Sequence, residues 1–64
     1  MRFTIRQWRG IRGWSQETLA QKAGVSRVNV ANWESGKYLP RGKNLVSLAK
    51  ALEVGIEDII LPVD

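Results

Sequence analysis

The side chains able to do chemistry in this 64-residue chain are few, and none is a nucleophile with a base beside it. Histidine and cysteine are absent, which removes the usual general base, the thiolate zinc site and any disulfide framework. No Gly-rich phosphate loop occurs, and Glu57-Asp58 lie at an acidic end without a basic or metal partner. Catalysis, a metal centre and a bound cofactor are therefore not expected. What remains is recognition. In the stretch SQETLAQKAGVSRVNVANWESG, residues 15–36, a helix turning roughly 100° per residue places Val30 and Trp33 on one face. Arg27, Val28, Ala31, Asn32 and Ser35 then fill an arc of about 140° on the opposite side. A guanidinium fork, an amide and small apolar groups on one face can bind a surface but cannot break a bond.

Charge indicates what kind of surface. The net charge is +4, and residues 1–43 carry nine Lys/Arg against Glu17 and Glu34, a balance of +7. Residues 44–64 carry Lys50 against Glu53, Glu57, Asp58 and Asp64, a balance of −3. A basic body with an acidic end suits a polyanion on one side only; solubility charge is the plainer explanation. The start MRFTIRQWRG leads into no apolar export segment, and the longest apolar run, IILPV, is far short of the roughly 20 residues a membrane span needs. A soluble, cytoplasmic protein is expected, with no membrane partner.

The elements that must position these residues all read as helices. Ile5, Trp8 and either Ile11 or Arg12 stand at helical spacing, predicting a first helix over 4–12 that ends at Gly13. Gly10 inside it costs about 1 kcal/mol relative to Ala. Ser15 is an N-cap for a second helix, with Glu17 suiting the dipole, Leu19 and Ala20 facing inward, and Ala23-Gly24 closing it. Ser26 repeats the capping signal for a third helix running to about Glu34. Leu45, Leu48, Ala49 and Leu52 form the stripe of a core-facing fourth helix from about 41 or 42 to 52, after Pro40. Gly55 separates a short fifth helix containing Ile56, Ile59 and Ile60, stopped by Pro62. The expected architecture is all-α: one compact five-helix domain over residues 1–64. A domain this small buries only about 60% of its unfolded surface, so each large apolar residue counts.

Two of these helices joined by Ala23-Gly24-Val25 are the arrangement in which one helix supports a second that projects outward. Ser15-Gln16, Leu19-Ala20, Gly24-Val25-Ser26, Val30, Trp33-Glu34, Gly36 and Pro40 are similar to the pattern of the Cro/CI-type, lambda repressor-like helix-turn-helix family of phage and bacterial regulators. The run PRGKNLVSLAKALEVGIEDII also resembles the family's fourth and fifth helices, so the likeness covers about residues 4–61. The resemblance implies a sequence-specific transcriptional regulator, a repressor or Cro-like protein, with the third helix in the major groove. It usually implies a two-fold dimer on a palindromic operator of double-stranded DNA.

Beside that implication each residue has its own chemistry. Arg27 offers a fork for guanine O6 and N7, a contact worth about 1 to 3 kcal/mol of discrimination. Val28 is apolar where the face ought to be polar; in the resembling branch this position packs against thymine methyl groups. Asn32 can pair with adenine or reach a phosphate, and Ala31 is small enough for close approach. Phosphate contacts are expected at Gln16, where a helix N-terminus attracts an anion, and at Ser26. Lys37, Tyr38, Arg41, Lys43 and Asn44, in the loop after the third helix and the start of the fourth, complete the backbone clamp. Arg9 and Glu34 match family positions that form a structural ion pair. Trp8, Trp33 and Trp14 are expected in the core.

More apolar residues crowd the last segment, GIEDIILPVD, than one short helix can bury. Ile56, Ile59, Ile60, Leu61 and Val63 are thus expected to form the interface of a weak homodimer. Without a separate sensing domain, no small-molecule ligand is expected. An alternative function is a protein-interaction module that binds a repressor or toxin, an anti-repressor or antitoxin. Val28 and Ala31 would suit that partner too. Salt separates the two, because DNA affinity falls with a log–log slope near −0.9 per phosphate neutralised.

Overall fold

Three of the helices begin where a side chain takes up an orphan backbone N–H. In the computed structural model, which describes residues 1–62, Thr4 caps α1 (Ile5–Arg12). Its hydroxyl accepts from Gln7 N at 3.1 Å, while Gln7 Oε1 accepts from Thr4 N at 2.9 Å. That reciprocal pair satisfies two donors at once and makes Thr4 the cap of the helix instead of its first residue. Ser15 accepts from Thr18 N at 3.1 Å to start α2 (Gln16–Ala23), and Ser26 accepts from Asn29 N at 3.0 Å to start α3 (Arg27–Ser35). Between them Gly24 takes a left-handed conformation, φ 71°, where other residues are strained. Val25 N then reaches back to Ala20 O at 2.9 Å, closing α2 and turning the chain into α3.

The fourth helix, α4 (Lys43–Leu52), starts later than the spacing of its leucines suggests. Gly42 stands at φ 53°, ψ −127°, outside the helical region, so Arg41 and Gly42 stay in the loop. Its far end stops at Glu53, which holds φ 61° without being glycine, two residues before Gly55. Arg12 braces that end: its guanidinium donates to Leu52 O at 3.1 Å and lies 5.9 Å from the centre of the Trp8 ring. Arg12 therefore works at a helix C-terminus, where cations are favoured, while Ile11 points into solvent.

A fifth helix does not form. Ile56–Asp58 makes a single 3₁₀ turn, after which Ile59–Ile60 (β2) extends and pairs in parallel with Phe3–Thr4 (β1). The partners are Phe3 with Ile59 and Thr4 with Ile60. Two adjacent β-branched residues favour the extended form, and Pro62 biases the residue before it the same way. Trp8 Nε1 also donates to Asp58 O at 2.8 Å, occupying a carbonyl that a continuing helix would need. Among the described residues the fold is thus four helices with one small strand pair, helical as expected apart from this end.

α2 packs most extensively on α3 and α4. Their inner residues Leu19, Ala20, Val30, Trp33, Leu48, Ala49 and Leu52 join Ile5, Trp8 and Ile59 in one core. Trp14 is only half buried, with Lys22 Nζ 5.0 Å from its ring centre, so it covers the core without entering it. Among the described residues no helix is long and apolar enough to cross a membrane.

Candidate nucleic-acid interface

α3 is sealed on one side and open on the other. Val30 and Trp33 are 0% and 4% exposed, whereas Val28 is 59% exposed and Arg27, Asn29 and Ser35 are also on the surface. Ala31 and Asn32 are half buried at the edges of that face. Burying Val28 would recover roughly 1.5 to 3 kcal/mol, and the fold leaves that unused. Asn29 belongs to this exposed group although its helical angle puts it at the margin of the arc. Asn32 contributes structure through its carbonyl, which accepts from Lys37 N at 3.0 Å and from the Ser35 hydroxyl at 3.1 Å, and its side chain stays out of these bonds.

A network of four residues fixes α3 against α1 and the start of α2. Arg9 Nε donates to Glu34 Oε2 at 2.7 Å and its Nη2 to Oε1 at 3.0 Å, a two-pronged ion pair. Arg9 Nη1 donates in addition to Trp14 O at 2.9 Å. Gln16 Nε2 donates to Glu34 Oε1 at 3.1 Å. Burial pushes the Glu34 carboxyl upward, but the hydrogen bonds from Arg9 and Gln16 and the charges of Arg9 and Arg6 outweigh it. The carboxyl is held below its usual range, so the pair is charged at neutral pH. Gln16, read as a phosphate ligand, thus spends one amide hydrogen inside the protein and keeps the other.

The loop residues fall on the surface as a group. Lys37, Tyr38, Arg41 and Lys43 are exposed and Asn44 is half buried, with Lys37 Nζ 5.8 Å from the Tyr38 ring centre. α4 has no side-chain cap; Asn44 N donates to Arg41 O at 3.1 Å, and the Lys43 N–H at the helix start can meet an anion beside Arg41 and Lys43. Ser26, by contrast, is exposed while its hydroxyl caps α3.

The residues expected at a dimer interface divide three ways. Ile59 is 5% exposed, part of the core beneath β1, and so is not available to a partner. This corrects its assignment, and the cause is the strand pairing, which turns Ile59 inward. Ile56 and Ile60 are 44% and 37% exposed, and Leu61 is half buried against the core. Val63 lies outside the described residues.

One neighbour of the site escaped the sequence reading. Arg6 lines a surface cavity of about 360 Å³ together with Arg9, Gln16, Ala31, Glu34 and Ser35. The signal was weak: one more arginine in a basic segment, whose direction depends on how α1 crosses α3. No cluster of three acidic, His or Cys side chains able to hold a metal occurs among the described residues.

A capped helix, a glycine turn and a second helix with a buried back and an open front define a helix-turn-helix domain. Comparison agrees: the helix-turn-helix family model matches residues 5–59. An uncharacterised HTH-type transcriptional regulator of Archaeoglobus fulgidus is 38% identical over 61 residues, covering 95% of this chain and 87% of that protein. The restriction-modification controller protein C.AhdI from Aeromonas hydrophila superposes with a TM-score of 0.83 at 34% identity, over 88% of this chain and 85% of its own. The P22 c2 repressor, crystallised in complex with a synthetic operator, gives a TM-score of 0.79 at 36% identity, over 83% and 80%. The chain belongs to the Cro/CI-type helix-turn-helix family of transcriptional regulators, a family of regulators and not of enzymes.

Proposed function

We propose that this chain is a sequence-specific DNA-binding regulator of transcription, a repressor or Cro-like protein, in which α3 enters the major groove. The observation that carries the reading is the open face of α3, where exposed Val28 stands between Arg27 and Asn32 on a helix whose back is fully packed. Arg27, Val28, Ala31 and Asn32 read bases. Gln16, Ser26, Lys37, Tyr38, Arg41, Lys43 and Asn44 hold the backbone on both sides. The similar P22 c2 repressor has been crystallised with a synthetic operator, which supports the choice of partner. Residues 1–64 act as one domain in the cytoplasm, without metal, cofactor or small-molecule effector.

The chain works as a weak homodimer through Ile56, Ile60 and Leu61, on a palindromic operator with half-sites about one helical turn, roughly 34 Å, apart. Sedimentation at high concentration should show dimer; monomer alone would remove this part of the proposal and leave DNA binding standing. Selection from a random duplex pool tests the main reading. Enriched duplexes should share a palindrome, and Val28→Ala should weaken binding to them roughly tenfold with little effect on unselected DNA, the cost of one lost base contact. A pool with no enrichment and no salt-dependent binding would refute DNA binding and favour the module that binds a repressor or toxin.

A further inference from the structure

The cavity between α1, the first turn of α2 and α3 has one positive charge left over. Within its wall both oxygens of the Glu34 carboxylate are engaged: Arg9 donates to each and Gln16 to one of them. Arg9 Nη1 donates in addition to Trp14 O. Arg6, three residues before Arg9 on the same face of α1, is exposed, and among the described residues it forms neither an ion pair nor a side-chain hydrogen bond. Both oxygens of Glu34, the one carboxylate lining the cavity among the described residues, already accept a bond, so the groups left to meet a ligand are donors. They include the Arg6 guanidinium and the second amide hydrogen of Gln16, the first residue of α2. At about 30 Å³ per water the cavity holds about a dozen, room for a phosphate and its bridging waters. Ala31 and Ser35 on its rim put it beside the outward face of α3.

We propose that Arg6 is a DNA-backbone contact that seats one phosphate in this cavity, beside Gln16 and outside the basic loop after α3. The inference rests on the DNA-binding reading and adds a backbone clamp from α1 to the one expected of Lys37 to Lys43. The ion pair of Arg9 and Glu34 gives the seat its shape and Arg6 gives it charge. A guanidinium on a phosphate contributes to every duplex alike, so its loss is read in the salt dependence and not in the sequence preference.

The test compares the parent chain with Arg6→Ala, Arg6→Lys and Lys50→Ala, the last an exposed cation at the opposite end of α4 from its N-terminus. Each is titrated against a mixed-sequence duplex of about 20 base pairs across a salt series, with thermal melting beside it. Arg6→Ala should bind about five- to tenfold more weakly at low salt, with a log–log slope shallower by about 0.9 and an unchanged melting curve. Arg6→Lys should restore the slope, and Lys50→Ala should keep it. The proposal fails if Arg6→Ala keeps the parent's slope, if its loss follows one base sequence, or if Lys50→Ala lowers the slope equally. A lower melting temperature with unchanged slope would make Arg6 only a partner of Glu34. Should the parent bind no duplex at all, both this inference and the proposed function fall together, whereas a binding parent with an indifferent Arg6 removes the inference alone.

Discussion

The helix-turn-helix, residues 15–36, and the seam where residues 1–8 meet 54–62 are built on opposite plans. In the first, every boundary is set within a few residues: Ser15 bonds Thr18, Val25 bonds Ala20, Ser26 bonds Asn29. In the second, the bonds that join its two halves span most of the chain. Trp8 Nε1 reaches Asp58 O, Arg2 Nε donates to Glu57 O at 3.2 Å, and Phe3–Thr4 pairs with Ile59–Ile60. Local bonds close at little entropic cost and can be read from neighbouring residues, whereas the seam depends on a chain already folded around its core. The unit that presents α3 is therefore autonomous in its local geometry, and the seam is a consequence of it.

Removing the shared core should erase the difference between the two regions. Trp33→Ala deletes a 4% exposed indole on the inner side of α3, at a cost of about 3 to 5 kcal/mol. A domain of this size has a stability near that figure, so far-UV circular dichroism should show the variant largely unfolded at 25 °C. A cooperative transition near the parent's midpoint would mean that α3 is not anchored as described.

Glu34 ties the helix-turn-helix to α1, so its replacement strains the junction of the two regions. Glu34→Gln leaves Arg9 half buried without a counter-charge; about 2 kcal/mol is expected, below the 3 to 5 of a fully buried pair because Arg9 keeps some contact with water. The pH dependence has a definite sign. Because the folded carboxyl lies below its ordinary value of 4.5, its contribution is fully present above that value and fades as the pH falls through the lower, folded one. Denaturant midpoints of the parent and Glu34→Gln should therefore differ at pH 7 and converge in acid. Equal midpoints at pH 7 would show that the pair contributes nothing net.

What could be read in advance follows the same division. Ser15, Ser26 and Gly24 carry caps and a turn whose chemistry lies within four residues, and the helices they delimit stand where the sequence places them. Thr4 and Gln7 carry the same kind of signal, overlooked because Thr4 looked like part of the helix it caps. Ile59 and Ile60 were misplaced for a different reason. A helical spacing of isoleucines and a β-branched pair are the same residues in a segment this short, and only the distant Phe3–Thr4 backbone decides between them. Within the candidate site, Arg27, Val28 and Asn32 follow from one helix's periodicity, while Arg6 and the Gln16–Glu34 bond need the crossing of α1, α2 and α3.

A cap should matter on its own side of the comparison only. Ser26→Ala removes the hydroxyl that accepts from Asn29 N and should lower stability by about 1 kcal/mol. Hydrogen exchange should speed up first at the amides that start α3, ahead of those in β1 and β2. If the strand amides respond first, the helix start is not a local unit.

The smallest effect is expected from the reverse test at the seam. Trp8→Phe keeps an aromatic ring in the core and in reach of Phe3, whose ring meets Trp8 edge-on at 5.1 Å, but removes the donor to Asp58 O. The carbonyl is only partly buried and water can replace the indole, so the hydrogen bond's share of the loss should be about 0.5 kcal/mol. That is small globally and large locally: β1 and β2 share only two residue pairs, and without the indole the 3₁₀ turn loses a bond bridging fifty positions. Exchange at the Phe3–Thr4 and Ile59–Ile60 amides should accelerate while the amides of α2 and α3 keep parent rates. Uniform acceleration throughout would instead mean that the seam and the helix-turn-helix open as one unit, and that the autonomy argued for the recognition element does not extend to its dynamics.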